Sequence, residues 1–145
     1  LLHQKILFIV YNMLEYASKP LLVRYGETDQ MGIVHHSNYF RYFEVARLEW
    51  LTALGVSYAL MEKEGVIMPV IDAKISYKTP ALFDDKLIIN IFLSETPRVK
   101  IKFTYEVKNQ KNELICTGET TLAFLNSVSR KPIRCPESFI SIFES

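Results

Sequence analysis

The chain has 145 residues, 49% hydrophobic, 23% charged and 12% aromatic, with 17 basic against 16 acidic side chains for a net charge of +1. That length fits one domain, able to bury ~68–70% of its unfolded surface without a disulfide or a metal. The near-zero charge argues against a general nucleic-acid binder, and five Gly and six Pro against a disordered or collagen-like chain.

The longest apolar run, residues 6–11, is far shorter than the ~20 residues that cross a bilayer. No small-x-small cleavage site follows it, so it reads poorly as a signal peptide. The sequence starts at Leu1, and Met13 is an alternative start that would leave residues 1–12 outside the native protein. Residues 1–18 are expected to be an N-terminal extension outside the functional argument, the alternative being an extra helix or strand. Residues 19–145 are expected to form a single domain.

A first strand is predicted over 21–26, after Pro20, and a polar loop over 27–37. Tyr39, Phe43, Ala46, Trp50 and Leu54 then recur at helical spacing, predicting a helix over 38–54 that stops at Gly55. Phe40, Leu48 and Leu51 widen its apolar stripe almost around the helix, which implies burial within the fold. A short helix follows over 57–63. The stretch 55–59, Gly-Val-Ser-Tyr-Ala, resembles a nucleophile elbow, but a helix precedes it where that motif needs a strand. Ser57 reads instead as an N-cap.

The rest predicts strands. Ile71, Ala73, Ile75 and Tyr77 alternate with polar residues up to Pro80. Leu87, Ile89, Ile91 and Leu93 mark the next strand, and Val99 to Val107 carries the strongest period-2 signal. A hairpin turn at 109–112 leads to a last long strand over 114–125 and a terminal helix over 136–143. Short connections favour antiparallel pairing, so one curved sheet around one long helix, an α+β fold, is expected.

The densest polar cluster, residues 27–39, feeds the N-terminus of the long helix. Helix N-termini present free N–H groups and partial positive charge, which can polarise a carbonyl. Asp29 stands near that point, and its carboxylate could act as nucleophile, activate a water, or only order the loop. His35 and His36 are adjacent and badly spaced to chelate one metal, and no HExxH spacing supports a metal site. Arg98, Lys100 and Lys102 share a strand face, and Arg130, Lys131 and Arg134 cluster near the C-terminus. They read as a solvated face or as a local phosphate site, since no glycine-rich phosphate loop occurs. Cys116 and Cys135 form no CxxC pair and read as buried thiols of a reducing compartment.

Glu27-Thr28-Asp29, Gly32-Ile33-Val34, His36, Asn38-Tyr39 and the Glu44-x-x-Arg47 step, with Tyr77-Lys78-Thr79-Pro80-Ala81 through Asp85, form a specific pattern. Over roughly residues 22–139 it resembles the hotdog-fold acyl-CoA thioesterases of the 4-hydroxybenzoyl-CoA thioesterase family, most nearly their Tol-Pal-associated branch. The resemblance implies a long helix wrapped by an antiparallel sheet, with hydrolysis of an acyl-CoA thioester to a free acid and CoA. Asp29 falls on the catalytic aspartate, nucleophile or general base. The His36 N–H falls on the group that polarises the carbonyl, and its side chain on a histidine that aids catalysis. Gly32, Val34, Asn38, Tyr39, Glu44 and Thr79 fall on positions around the substrate, and Arg98, Lys100, Arg130 and Lys131 on regions that hold CoA phosphates. The resemblance also implies a cytoplasmic homo-oligomer, dimer or tetramer, with active sites between subunits, and neither metal nor cofactor. Glu27 stands where many relatives have Asp, His35 where an aromatic is common, and Met31 where a small residue is usual. Two alternatives accompany this reading: an acyl-carrier-protein thioesterase, and a non-catalytic acyl-CoA-binding hotdog protein.

Overall fold

The computed structural model describes residues 14–144. Its elements are strands β1 (Glu15–Ala17) and β2 (Leu21–Leu22), helix α1 (Asn38–Ala53), helix α2 (Tyr58–Lys63), strands β3 (Val66–Ile67), β4 (Val70–Tyr77), β5 (Lys86–Leu93), β6 (Lys100–Lys108), β7 (Leu114–Ala123) and β8 (Leu125–Asn126), and helix α3 (Glu137–Glu144).

The main sheet runs β1-β5-β6-β7-β4, with β2 also on β5, and these pairs are antiparallel. A small second sheet joins β3 to β8. Leu87, Ile89, Ile91 and Leu93 of β5 and Ile101, Phe103, Tyr105 and Val107 of β6 are buried, while their neighbours are not. This is the period-2 pattern of a sheet with one covered face. The expected α+β architecture, a long helix held in a curved antiparallel sheet, is present.

Three expectations change. The segment predicted as a strand over 21–26 is extended only at Leu21–Leu22; Tyr25–Glu27 forms a 3-10 turn, held by the Glu27 carboxylate accepting the Arg24 N–H at 2.8 Å. The sheet begins before position 19, since Glu15, Tyr16 and Ala17 pair with Phe92, Ile91 and Asn90. The alternative of an extra strand holds for these three residues, and the remainder of the expected extension, residues 1–13, lies outside the described residues. Finally, α1 is not buried all round. Tyr39, Tyr42, Phe43, Ala46, Arg47, Trp50 and Leu51 face the core, but Phe40, Val45 and Leu48 stay exposed. The wide stripe combines a core face with an uncovered apolar face.

The helix meets the sheet through aromatics. Phe43 stacks on Tyr105 with ring centroids 4.1 Å apart, and Trp50 packs edge-on against Phe103 and Phe143. The close approach of Phe43 requires glycine at position 118. A Cβ there would lie 2.5 Å from the ring. Ser57 caps α2, its hydroxyl accepting the Leu60 N–H at 3.1 Å, so the elbow-like stretch is a helix start.

Candidate active site

The loop before α1 is built by its own backbone. Gly32 adopts φ +78°, a conformation that side chains disfavour, and its N–H donates to the Asp29 carbonyl at 2.9 Å. The Asp29 N–H returns a bond to the Ile33 carbonyl at 2.9 Å, closing a tight turn. Asp29 Oδ1 accepts the Met31 N–H at 2.8 Å, and Oδ2 has no hydrogen-bond partner among the described residues. The carboxylate is thus aimed by one oxygen and open at the other, on a half-buried residue.

The first turn of α1 supplies the complementary charge. Ser37, at the N-cap, has helical φ/ψ and makes no side-chain cap bond. The His36 N–H likewise has no acceptor among the described residues. A helix start without a side-chain cap leaves donors for a developing oxyanion. The His36 and His35 rings lie 4.2 Å apart; His35 Nδ1 is within 2.8 Å of Ser37 Oγ, and the His36 ring packs edge-on to Tyr77. Among the described residues, no three His, Cys, Asp or Glu side chains are placed to hold a metal ion.

Three residues expected at the substrate are buried in the chain and make hydrogen bonds to the loop and to Ala81. Val34 is 3% exposed and donates its N–H to the Ala81 carbonyl. Asn38 spends its amide N–H on the Glu27 carbonyl at 2.9 Å. Tyr39 lies under the turn, its hydroxyl accepting the Ala81 N–H at 3.5 Å, and burial, partly offset by that bond, pushes its pKa up to about 12. Asn38 and Tyr39 open α1 on its core face, and Val34 is buried in the loop that precedes it. Gly32 is at the exposed tip of the turn, and Thr79 is tied by its N–H to the Ile115 carbonyl at the same end of the sheet. Tyr77, read from the sequence as a strand residue and part of the family pattern but not as a site residue, brings its hydroxyl 3.5 Å from the His36 carbonyl.

The basic residues lie elsewhere. Tyr77 stands beside Cys116 and Val70 beside Leu122, while on β6 Val107 marks the first end and Ile101 the second. Asp29 and His36 are at the Tyr77 end. Arg98 and Lys100 precede Ile101, at the other end, about 23 Å away along a strand that rises ~3.3 Å per residue. Arg130 and Lys131 sit in the turn after β8, where the Asn126 N–H bonds the Lys131 carbonyl, again at the far end. Within one chain, none of the four reaches Asp29.

A cavity of about 270 Å³ opens between α1 and the far half of the sheet, lined by Leu48, Leu51, Met68, Val70 and Phe103, with Glu44 and Arg47. Glu44 is exposed at its wall; Arg47 is buried. The sequence gives two signals for Arg47: its place in the Glu44-x-x-Arg47 step of the family pattern, and a charge at a core position of the α1 stripe.

The sequence profile of the thioesterase-like superfamily matches residues 23–143. YneP of Bacillus subtilis (strain 168) is 36% identical over 123 residues, covering 85% of this chain and 89% of that one. The acyl-CoA thioesterase YbgC of Haemophilus influenzae is 30% identical over 128 residues, covering 87% and 93%. Among solved structures, the DHNA-CoA thioesterase from Staphylococcus aureus superposes with a TM-score of 0.83 at 38% identity, covering 90% of this chain and 87% of that one.

Proposed function

The chain belongs to the thioesterase-like superfamily, and from that premise we propose that it hydrolyses an acyl-CoA thioester to a free acid and CoA. The observation that carries the mechanism is the open Asp29 Oδ2 on the loop that leads directly into the first turn of α1, with its unengaged His36 N–H. A thioester carbonyl at this turn would direct its oxygen to the His36 N–H. Asp29 would then attack the carbonyl carbon, expelling CoA thiolate and leaving a mixed anhydride that water cleaves, or would take a proton from the attacking water. His36 would steady the same carbonyl with its side chain.

The site is completed by a second copy. Asp29 is half-buried and Met31, His35 and His36 are exposed, so one chain leaves the turn open on one side. The outer edge of β4 pairs with no strand among the described residues, and Val70, Ile71 and Tyr77 are each about half exposed there. An unpaired apolar edge next to the uncovered face of α1 invites a twofold copy. Antiparallel pairing of two β4 edges would set the Val70 end of one protomer beside the Tyr77 end of its partner. That brings Arg98, Lys100, Arg130 and Lys131 of one chain toward the Asp29 of the other, where they would meet CoA phosphates.

No helix among the described residues is long and apolar enough to cross a membrane. The two free, buried cysteines suit a reducing compartment, and we place the activity in the cytoplasm.

The test is thiol release from straight-chain, branched and aromatic CoA esters by the wild type and Asp29→Asn. Loss of general base or nucleophile is expected to cost ~10²–10⁴ in rate with the fold intact. Equal rates would make Asp29 structural. Release from carrier-protein esters alone would move the substrate to that class. Bound acyl-CoA that survives long incubation would make the protein a binder.

A further inference from the structure

Arg47 is a cation in the wrong place for a purely structural role. It is 8% exposed, on the core face of α1, and lines the cavity with Leu48, Leu51, Val70 and Phe103. Its Nη1 donates to Tyr105 Oη at 3.1 Å, and Tyr105 Oη in turn shares a hydrogen bond with Thr120 Oγ1 at 2.5 Å. Both partners are neutral, and burial pushes the Tyr105 pKa up, so that phenol supplies no negative charge. The ion pairs among the described residues are Arg24–Glu27 and Lys102–Glu119; neither involves Arg47. Glu44, one turn before it, stays exposed and unpaired.

A guanidinium carries five N–H donors, and burying it without an anion is costly. Here one nitrogen is anchored on Tyr105 and no carboxylate among the described residues pairs with the charge; Glu44 and Tyr58 share the cavity wall, and the rest of the lining is apolar. The cavity is small, below the ~300–1,000 Å³ of ordinary ligand pockets, which suits a compact acyl group. Val70 forms part of its wall and also the far end of the β4 edge. Pairing two β4 edges would therefore seat the cavity of one protomer beside the His36–Tyr77 cluster of the other.

We propose that Arg47 is an anion-recognising specificity residue: the favoured ester carries a carboxylate at the end of the acyl group remote from the thioester, and that carboxylate docks on the open face of the guanidinium. Tyr105 and Thr120 hold the guanidinium in place. Planar, two-point pairing with a carboxylate is what arginine does better than lysine. The proposal rests on the hydrolase reading above.

The experiment compares adipyl-CoA with hexanoyl-CoA, two six-carbon esters that differ in the terminal group. The wild type is expected to favour adipyl-CoA by about 10-fold or more in kcat/KM, the worth of one charge-assisted hydrogen bond. Arg47→Met, with an unbranched neutral stem, is expected to lose that preference chiefly through a raised KM for adipyl-CoA; Arg47→Lys should keep part of it. Free adipate should inhibit wild-type hydrolysis of hexanoyl-CoA about 10-fold more strongly than hexanoate, a reading that needs no variant to fold. A wild type that prefers hexanoyl-CoA, a preference unmoved in folded Arg47→Met, or equal inhibition by the two free acids would overturn the proposal alone. Thiol release from no CoA ester would overturn it together with the hydrolase reading.

Discussion

The Asn38 side-chain amide donates to the Glu27 carbonyl at 2.9 Å, and the same oxygen accepts the His35 N–H at 2.9 Å. One carbonyl thus ties the start of the Asp29 turn to the first residue of α1 and to the residue before His36. This three-way junction sets the spacing between the carboxylate and the helix start. Asn38→Ala removes one of the two donors and leaves space at a buried position. It is expected to cost ~1–2 kcal/mol of stability, read by thermal melting. The larger effect falls on turnover, because small displacements of reacting groups are amplified in rate. A drop of about 10-fold in kcat with a smaller change in KM is expected; an unchanged kcat would show that the turn keeps its shape without the junction.

The uncovered face predicts assembly. Ile71 is 50% exposed, at the irregular step in the β4–β7 register, and Val45 and Leu48 lie exposed on α1. A lysine at position 71 would place a charge against an apolar partner surface, as edge strands that stay single often do. Ile71→Lys is expected to shift the protein to monomer in analytical ultracentrifugation and to lower specific activity, with recovery as concentration rises. A wild type fully active as a monomer would remove the shared-site reading.

Both thiols are inert by burial. Cys116 and Cys135 have pKa values pushed up to about 12, desolvation being the largest cause for each, with Glu137 adding for Cys135. A thiol reagent at pH 8 should leave both untouched in the native state and modify both after unfolding. The same shifts fix an alkaline limit. In the unfolded chain the thiols lose their protons near 9.0, whereas in the folded chain they hold them to about 12. Between those values the folded state binds more protons, so stability, unaffected below pH 9, declines as pH rises toward 12. Tyr39, also raised to about 12 from 10.0 by burial, adds in the same direction. Melting temperatures that stay level from pH 9 to 11 would contradict this.

The sequence announces most of this architecture where a single period holds over many residues, as in β6 and α1. It is silent where function depends on pairs distant in the chain. Tyr77 meets His36 across 41 positions, and Arg47 meets Tyr105 across 58. Neither meeting leaves a local pattern. The predicted strand over 21–26 fails for the opposite reason: Arg24 and Glu27 close a turn through side chain and backbone, a local bond that overrides extended propensity. Val34, Asn38 and Tyr39 carry a legible motif, but the motif does not say whether each touches the substrate or the loop that holds it. Their burial and hydrogen bonds show how each is held within the loop and the helix start.

The contact between α1 and β7 gives the sharpest stability prediction. At position 118 a Cβ would meet Phe43 Cε2 at 2.5 Å, Cζ at 2.6 Å and the Lys74 carbonyl oxygen at 3.2 Å. Phe43 has little room to retreat, since it is 0% exposed, stacked flat on Tyr105 and crossed by Phe40. Gly118→Ala is therefore expected to destabilise by ~1–3 kcal/mol, the usual cost of overpacking a filled core. A strain relieved by moving Phe43 would also press on Tyr105, and through it on Arg47, so the variant should weaken adipyl-CoA selectivity as well as the fold. Adding Phe43→Leu opens space for the new methyl group. The double variant is expected to be more stable than the sum of the two single changes predicts, as contacting residues do when one relieves the other. Strict additivity in urea melts would mean that the sheet, not Phe43, absorbs the strain.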